Sequence, residues 1–186
     1  MIHRLSLLVA QAVAAVAFAA STVVLAIAVP AAAQTTAPVD TARIDRFVRD
    51  SAMLCAQSAS TACFDRSFRF ADTDGDNQLS LPELQGLQAD LFEWLRINRD
   101  RLSPGDRRGV FGALAIVELA GLPRLFASYD ENGDGKLSRT EISADVRLDE
   151  RPLAVLVKDP DAVNWPSLRK RLGAAAPLLD GAIRTK

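Results

Sequence analysis

Asp72-Thr73-Asp74-Gly75-Asp76-Asn77-Gln78-Leu79-Ser80-Leu81-Pro82-Glu83 and Asp130-Glu131-Asn132-Gly133-Asp134-Gly135-Lys136-Leu137-Ser138-Arg139-Thr140-Glu141 are two copies of one pattern. Both carry a side-chain oxygen at positions 1, 3, 5, 9 and 12, a leucine at position 8, and a serine three residues before the closing glutamate. Ser80-x-x-Glu83 and Ser138-x-x-Glu141 are capping boxes, in which serine and glutamate satisfy each other's end of a new helix. Each pattern therefore predicts a loop that ends by starting a helix.

Helical periodicity flanks both loops. Phe64, Phe68 and Ala71 share a face before the first, and Leu84, Leu87, Leu91 and Leu95 form a stripe after it. A short helix over Leu122–Tyr129 is expected to lead into the second loop, and another to leave it from Glu141 to about Leu148. With helices on either side, the two loops resemble the EF-hand family. The resemblance covers Phe64–Leu95 and Leu122–Leu148, and its specific part is the loops.

That resemblance implies an all-α fold, an EF-hand helix-loop-helix pair, and two Ca2+ ions as cofactors. Calcium is a hard cation that takes six to eight oxygens, and the family supplies them from positions 1, 3, 5, 7, 9 and 12. Carried over residue by residue, the ligands are Asp72, Asp74, Asp76, Gln78 and Glu83 in the first loop. In the second they are Asp130, Asn132, Asp134, Lys136 and Glu141. Position 7 binds through its backbone carbonyl, so Gln78 and Lys136 are read as residues whose side chains hardly matter. Ser80 and Ser138 at position 9 act through a water. Glu83 and Glu141 each give both carboxylate oxygens. Leu79 and Leu137 are where paired family members join their loops by a short antiparallel bridge.

Two departures bear on this reading. Position 6 needs a left-handed backbone, which Gly135 adopts freely and Asn77 at some cost. At the ligand positions the first loop holds four acids (Asp72, Asp74, Asp76, Glu83) and the second three (Asp130, Asp134, Glu141), so charge favours one and geometry the other, and the order of affinity stays open. The second departure is the spacing: Asp130 follows Glu83 by 47 positions, about twice what compact family pairs use. An additional helix over Ser103–Ala120, opened by Ser103-Pro104 and stopped by Gly121, fills the gap. The loops are expected to pair across it, the alternative being two independent hands.

Outside the hands, Arg43–Gln57 reads as a helix and Gln34–Asp40 as a flexible lead-in. The tail over 149–186 reads as helical, with an apolar run at Leu153–Val157, a helix at Trp165–Leu172 capped by Asn164, and a further turn or two at Pro177–Ile183. Domain boundaries follow: hand one at about 62–98, the inserted helix at 103–120, hand two at about 122–148. The apolar tail is expected to lie over the pair. Trp94 and Trp165 read as core or rim aromatics, and the arginines from Arg96 to Arg108 as a solvated face.

Met1–Arg4 is basic, Leu5–Val29 carries no charge, and Ala31-Ala32-Ala33 follows. This is the pattern of a secretory signal peptide cut after Ala33, with a membrane anchor as the competing reading. The expected location is periplasmic or secreted, with no membrane association after cleavage. Losing Arg4 leaves 21 basic residues against 23 acids, a balance that gives nucleic acid no foothold. The only histidine, His3, leaves with the signal, so no imidazole base remains and no enzyme activity is expected. Cys55 and Cys63, the only cysteines, flank a small polar stretch and are expected to form a disulfide in an oxidising compartment.

Two roles remain open. In one, calcium stabilises the fold; in the other, the module answers calcium by binding another exported protein. The mature chain keeps only Met53, and adaptable sensor grooves tend to be methionine-rich, which favours the first.

Overall fold

The computed structural model describes residues 41–156 and 158–179. The expected signal peptide over 1–33, the lead-in over 34–40 and the end of the tail beyond Leu179 lie outside the described residues. The chain begins with α1 (Thr41–Gln57) and α2 (Ser60–Ala71), followed by the first loop and the two-residue strand β1 (Leu79–Ser80). Helix α3 (Leu81–Asn98) leaves that loop, and a 3-10 turn at Arg99–Arg101 leads to α4 (Pro104–Ala120). Helix α5 (Leu122–Tyr129), the second loop, β2 (Lys136–Leu137) and α6 (Arg139–Ile142) complete the second hand. The tail adds α7 (Leu153–Leu156), a 3-10 turn at Pro160–Ala162 and α8 (Trp165–Leu172).

The loops pair despite the long spacing. Strands β1 and β2 run antiparallel, with Leu79 opposite Leu137 and Ser80 opposite Lys136. Both leucines are fully buried and belong to a core that also holds Phe68, Leu84, Leu122, Phe126 and Tyr129. These residues come from the helices that enter both hands and from the one that leaves the first. One apolar cluster thus fastens the two loops side by side.

Helix α4 makes the long spacing compatible with pairing. Its middle contributes Val110 and Leu114 to a second cluster with Ile44, Trp94, Leu95 and Leu102. Its C-terminal end contributes Ile116, Val117 and Ala120 to a third cluster with Leu125, Leu172 and Ala175. The helix is therefore a strut between the first hand and the tail. It turns into α5 through 80° at Gly121, whose φ of 81° is left-handed backbone that glycine adopts at no steric cost.

The exit of the second hand differs from expectation. The helix expected from Glu141 to about Leu148 is the single turn α6, ending at Ile142. Beyond it the backbone pairs with the tail: Asn164 N–H donates to Asp145 O, Arg147 N–H donates to Ala162 O, and Val146 bridges Val163. Ser143, Asp145 and Val146 are weak helix formers, so little propensity opposes this exchange of helical bonds for tail contacts.

Cys55 at the end of α1 and Cys63 in α2 are disulfide-bonded, with Cα atoms 4.8 Å apart, and Leu153 of α7 packs against them. Trp94 is buried and its indole N–H donates to Asp45 Oδ1 at 2.6 Å. Trp165 lies at the rim and donates to Pro160 O at 3.0 Å.

Candidate metal centre

The first loop leaves α2 at Ala71 and turns on its own side chains. Asp72 accepts from the Gly75 N–H at 2.8 Å and from the Asn77 N–H at 3.0 Å. Asp74 accepts from the Asp76 N–H, and Asp76 from the Gln78 N–H. These are aspartate turns, in which each carboxylate organises the backbone a few residues on. As a result, Asp72, Asp74 and Asp76 each present an oxygen within 4.8 Å of the others. Asn77 takes the left-handed conformation the chain needs at position 6, at φ 65°.

The closing glutamate ties the loop's two ends together. Glu83 Oε2 accepts from the Ser80 N–H and hydroxyl, both at 2.8 Å, completing the capping box. Its Oε1 accepts from the Thr73 N–H at 2.7 Å and the Thr73 hydroxyl at 3.0 Å. Partial burial pushes the Glu83 carboxyl up, but the hydrogen bonds from Ser80 and Thr73 outweigh it and bring its pKa down to about 2. The group is a carboxylate throughout the physiological range.

The second loop repeats this construction. Asp130 accepts from the Asp134 and Gly135 N–H groups at 3.1 and 3.0 Å, and Asn132 Oδ1 accepts from the Asp134 N–H at 2.8 Å. Gly135 is left-handed at φ 77°. Glu141 Oε2 takes the Ser138 N–H and hydroxyl, and Oε1 the Glu131 N–H at 3.1 Å. The bonds from Ser138 hold its carboxyl below the usual range. Each loop thus brings its residues at positions 1, 3, 5 and 12 to one turn of backbone. The donors are oxygens, with no imidazole or thiolate among them, a set that fits a hard cation.

Three features were not legible at the level of motif. Lys136, whose side chain was expected to hardly matter, instead places its ammonium on Asp76 Oδ2 of the other loop. The signal available was the register: position 7 of one paired loop faces position 9 of its partner. Arg139 crosses in the same direction, with its Nε 3.2 Å from Asp65 Oδ1 and its guanidinium 4.1 Å over the Phe68 ring. The tail supplies the third. Arg171 of α8 reaches Glu131 Oε1 of the second loop at 2.9 Å, pairs with buried Asp145, and lies 4.2 Å over the Tyr129 ring. Nothing in the spacing of these residues marked them as partners.

The tail lies against the hands, with a cavity of about 270 Å³ beneath it bounded by Phe64, Ile142, Leu153, Leu156 and Leu168. Among the described residues, no single helix is long and apolar enough to cross a membrane.

Comparison with known proteins agrees with this geometry. A family model described as EF hand matches residues 64–87 and 124–146, the segments that hold the two loops. Guanylyl cyclase-activating protein 2 of Gallus gallus is 27% identical over 108 residues, which cover 58% of this chain and 51% of that protein. The chain therefore spans about half the length of the curated relative it matches. No solved structure matches the chain. The two helix-loop-helix units match the EF-hand model, and the resemblance of the chain to the EF-hand calcium-binding family is borne out over both loops.

Proposed function

We propose that this is an exported protein, periplasmic or secreted, that binds two calcium ions and uses them to stabilise its fold. The carrying observation is the convergence of Asp72, Asp74 and Asp76 on one point, with the second loop built on the same plan. In this reading Asp72, Asp74, Asp76 and Glu83 hold one ion by their side chains, and Gln78 by its carbonyl. Asp130, Asn132, Asp134 and Glu141 hold the other, with the carbonyl of Lys136. The ion cancels the repulsion among the carboxylates, so ligand binding adds to stability; at one hundred times the dissociation constant one site contributes about 2.7 kcal/mol.

Support for a stabilising role comes from the tail. Arg171 joins the second loop to α8, and Leu172 and Ala175 pack against α4 and α5, so an ion that orders the loop also fixes the tail. Export is supported by the leader pattern of residues 1–33 and by the Cys55–Cys63 bridge, which persists in oxidising compartments. We read the protein as a binding protein and not an enzyme.

A calcium-responsive module that binds another exported protein is the second reading. It is favoured by the name of the relative, a cyclase-activating protein, and by the apolar cavity beneath the tail. Calcium titration by calorimetry, with an apolar dye added in parallel, separates the two. Two bound ions, a higher melting temperature and unchanged dye binding support stabilisation. A large calcium-dependent rise in dye binding makes the partner-binding reading the better one, and no heat of calcium binding removes both.

A further inference from the structure

We propose that Lys136 sets the calcium affinity of the first loop by placing its ammonium on Asp76 as a tethered cation that an incoming ion must displace. The inference rests on the calcium reading above and adds a regulation of one loop by the other.

Sequence assigns Lys136 to the second loop, but tertiary structure assigns its charge to the first. The register that sets Lys136 opposite Ser80 places the lysine at the edge of the first loop. There Nζ pairs with Asp76 Oδ2, while Asp76 Oδ1 accepts from the Gln78 N–H at 2.8 Å. Both oxygens of one candidate ligand are therefore engaged, and the outer one is held by a positive charge.

The arrangement is one-sided. The counterpart of Lys136 in the first loop is Gln78, which is neutral, so no equivalent cation reaches the second loop from position 7. At the ligand positions the first loop has four acids and the second three; the borrowed ammonium cancels that difference. Charge alone would make the first loop the tighter site, and Lys136 levels the two.

Magnitude follows from exposure. The Lys136 and Asp76 side chains are 41% and 32% exposed, so the pair is screened and gives way to a divalent ion. Releasing an exposed ion pair costs a factor of about two to five. Residual repulsion between the ammonium and a divalent ion adds to this, for a total of about three- to tenfold in affinity at low salt.

The test isolates the first loop. In the purified protein carrying Glu141→Gln, calcium affinity is measured by calorimetry with and without Lys136→Gln, and with Lys136→Arg, which keeps the charge. Lys136→Gln is expected to tighten the remaining site about three- to tenfold, and Lys136→Arg to stay within about twofold of the lysine protein. In the wild-type protein, the Lys136 ε-methylene resonance is expected to move in step with the Gly75 amide as calcium is added. Two results overturn the inference: Lys136→Gln no tighter than its parent, or an ε-methylene resonance that follows only the Gly133 amide of the second loop. Failure of the wild-type protein to bind calcium is a different outcome, and it sinks the calcium reading itself.

Discussion

Tyr129, the residue immediately before the second loop, donates its hydroxyl hydrogen to Asp145 Oδ2 at 2.8 Å, and both residues are buried. The bond runs from the helix that enters the second hand to the segment that leaves it, so it spans the base of the loop. Burial and the adjoining Asp145 carboxylate push the Tyr129 phenol well above its ordinary range, against the opposing charge of Arg171.

Because Tyr129 is the only tyrosine, its titration can be followed without interference. Its folded pKa is raised above the unfolded value of about 10, so the stabilisation is complete below that pH and is lost as pH rises above it. Phenolate absorbance is expected to appear only together with alkaline unfolding, seen by circular dichroism. Ionisation at the pH of free tyrosine in the folded protein contradicts the buried bond. Tyr129→Phe should lower stability by about 1.5–3 kcal/mol, the range for a bond to a charged acceptor.

Arg171 is the charge partner of buried Asp145, so removing it leaves a carboxylate short of compensation. Arg171→Met is expected to cost about 3 kcal/mol in denaturant unfolding. Arg171→Met combined with Asp145→Asn should cost less than the two single changes added together, because the stranded charge is gone. Strict additivity would show that the two residues do not act as a pair.

The closing glutamates should be separable. Glu83→Gln and Glu141→Gln are each expected to lower the calorimetric stoichiometry by one ion, since position 12 supplies two oxygens. Each change keeps the capping box, since glutamine also accepts there, but loses the carboxylate oxygen that accepts from the Thr73 or Glu131 N–H, and should lower stability by about 1 kcal/mol without calcium. A Glu141→Gln protein that still fills two sites refutes the assignment of that loop.

Cys55 and Cys63 should resist alkylation in protein recovered from the exported fraction. Mass spectrometry of unreduced, alkylated protein decides this, and two alkylated cysteines would mean that the bridge is absent. Replacing both with serine is expected to cost about 2–4 kcal/mol, mainly by freeing the unfolded chain. The bridge also anchors Leu153, so α7 should lose hydrogen-exchange protection before α3 does.

What the sequence by itself determined is local. Both loops, both capping boxes, the left-handed position 6 and the stop at Gly121 depend on residues within about a dozen positions of each other, where spacing dictates geometry. The all-α class follows from the same short-range patterns, whereas the pairing of Leu79 with Leu137 is only implied by the family resemblance and is decided in the fold. Tertiary structure alone decided the rest. It gave the Lys136 ammonium to Asp76, joined Arg171 to Glu131 and Asp145, and ended α6 at Ile142 instead of near Leu148. These outcomes depend on which distant segments the apolar clusters bring together. A helix of weak formers such as Ser143 and Val146 gives way when the tail offers its backbone equivalent bonds. A charged side chain at a solvent-facing position takes whichever opposite charge the packing places within reach, and no spacing along the chain records that choice.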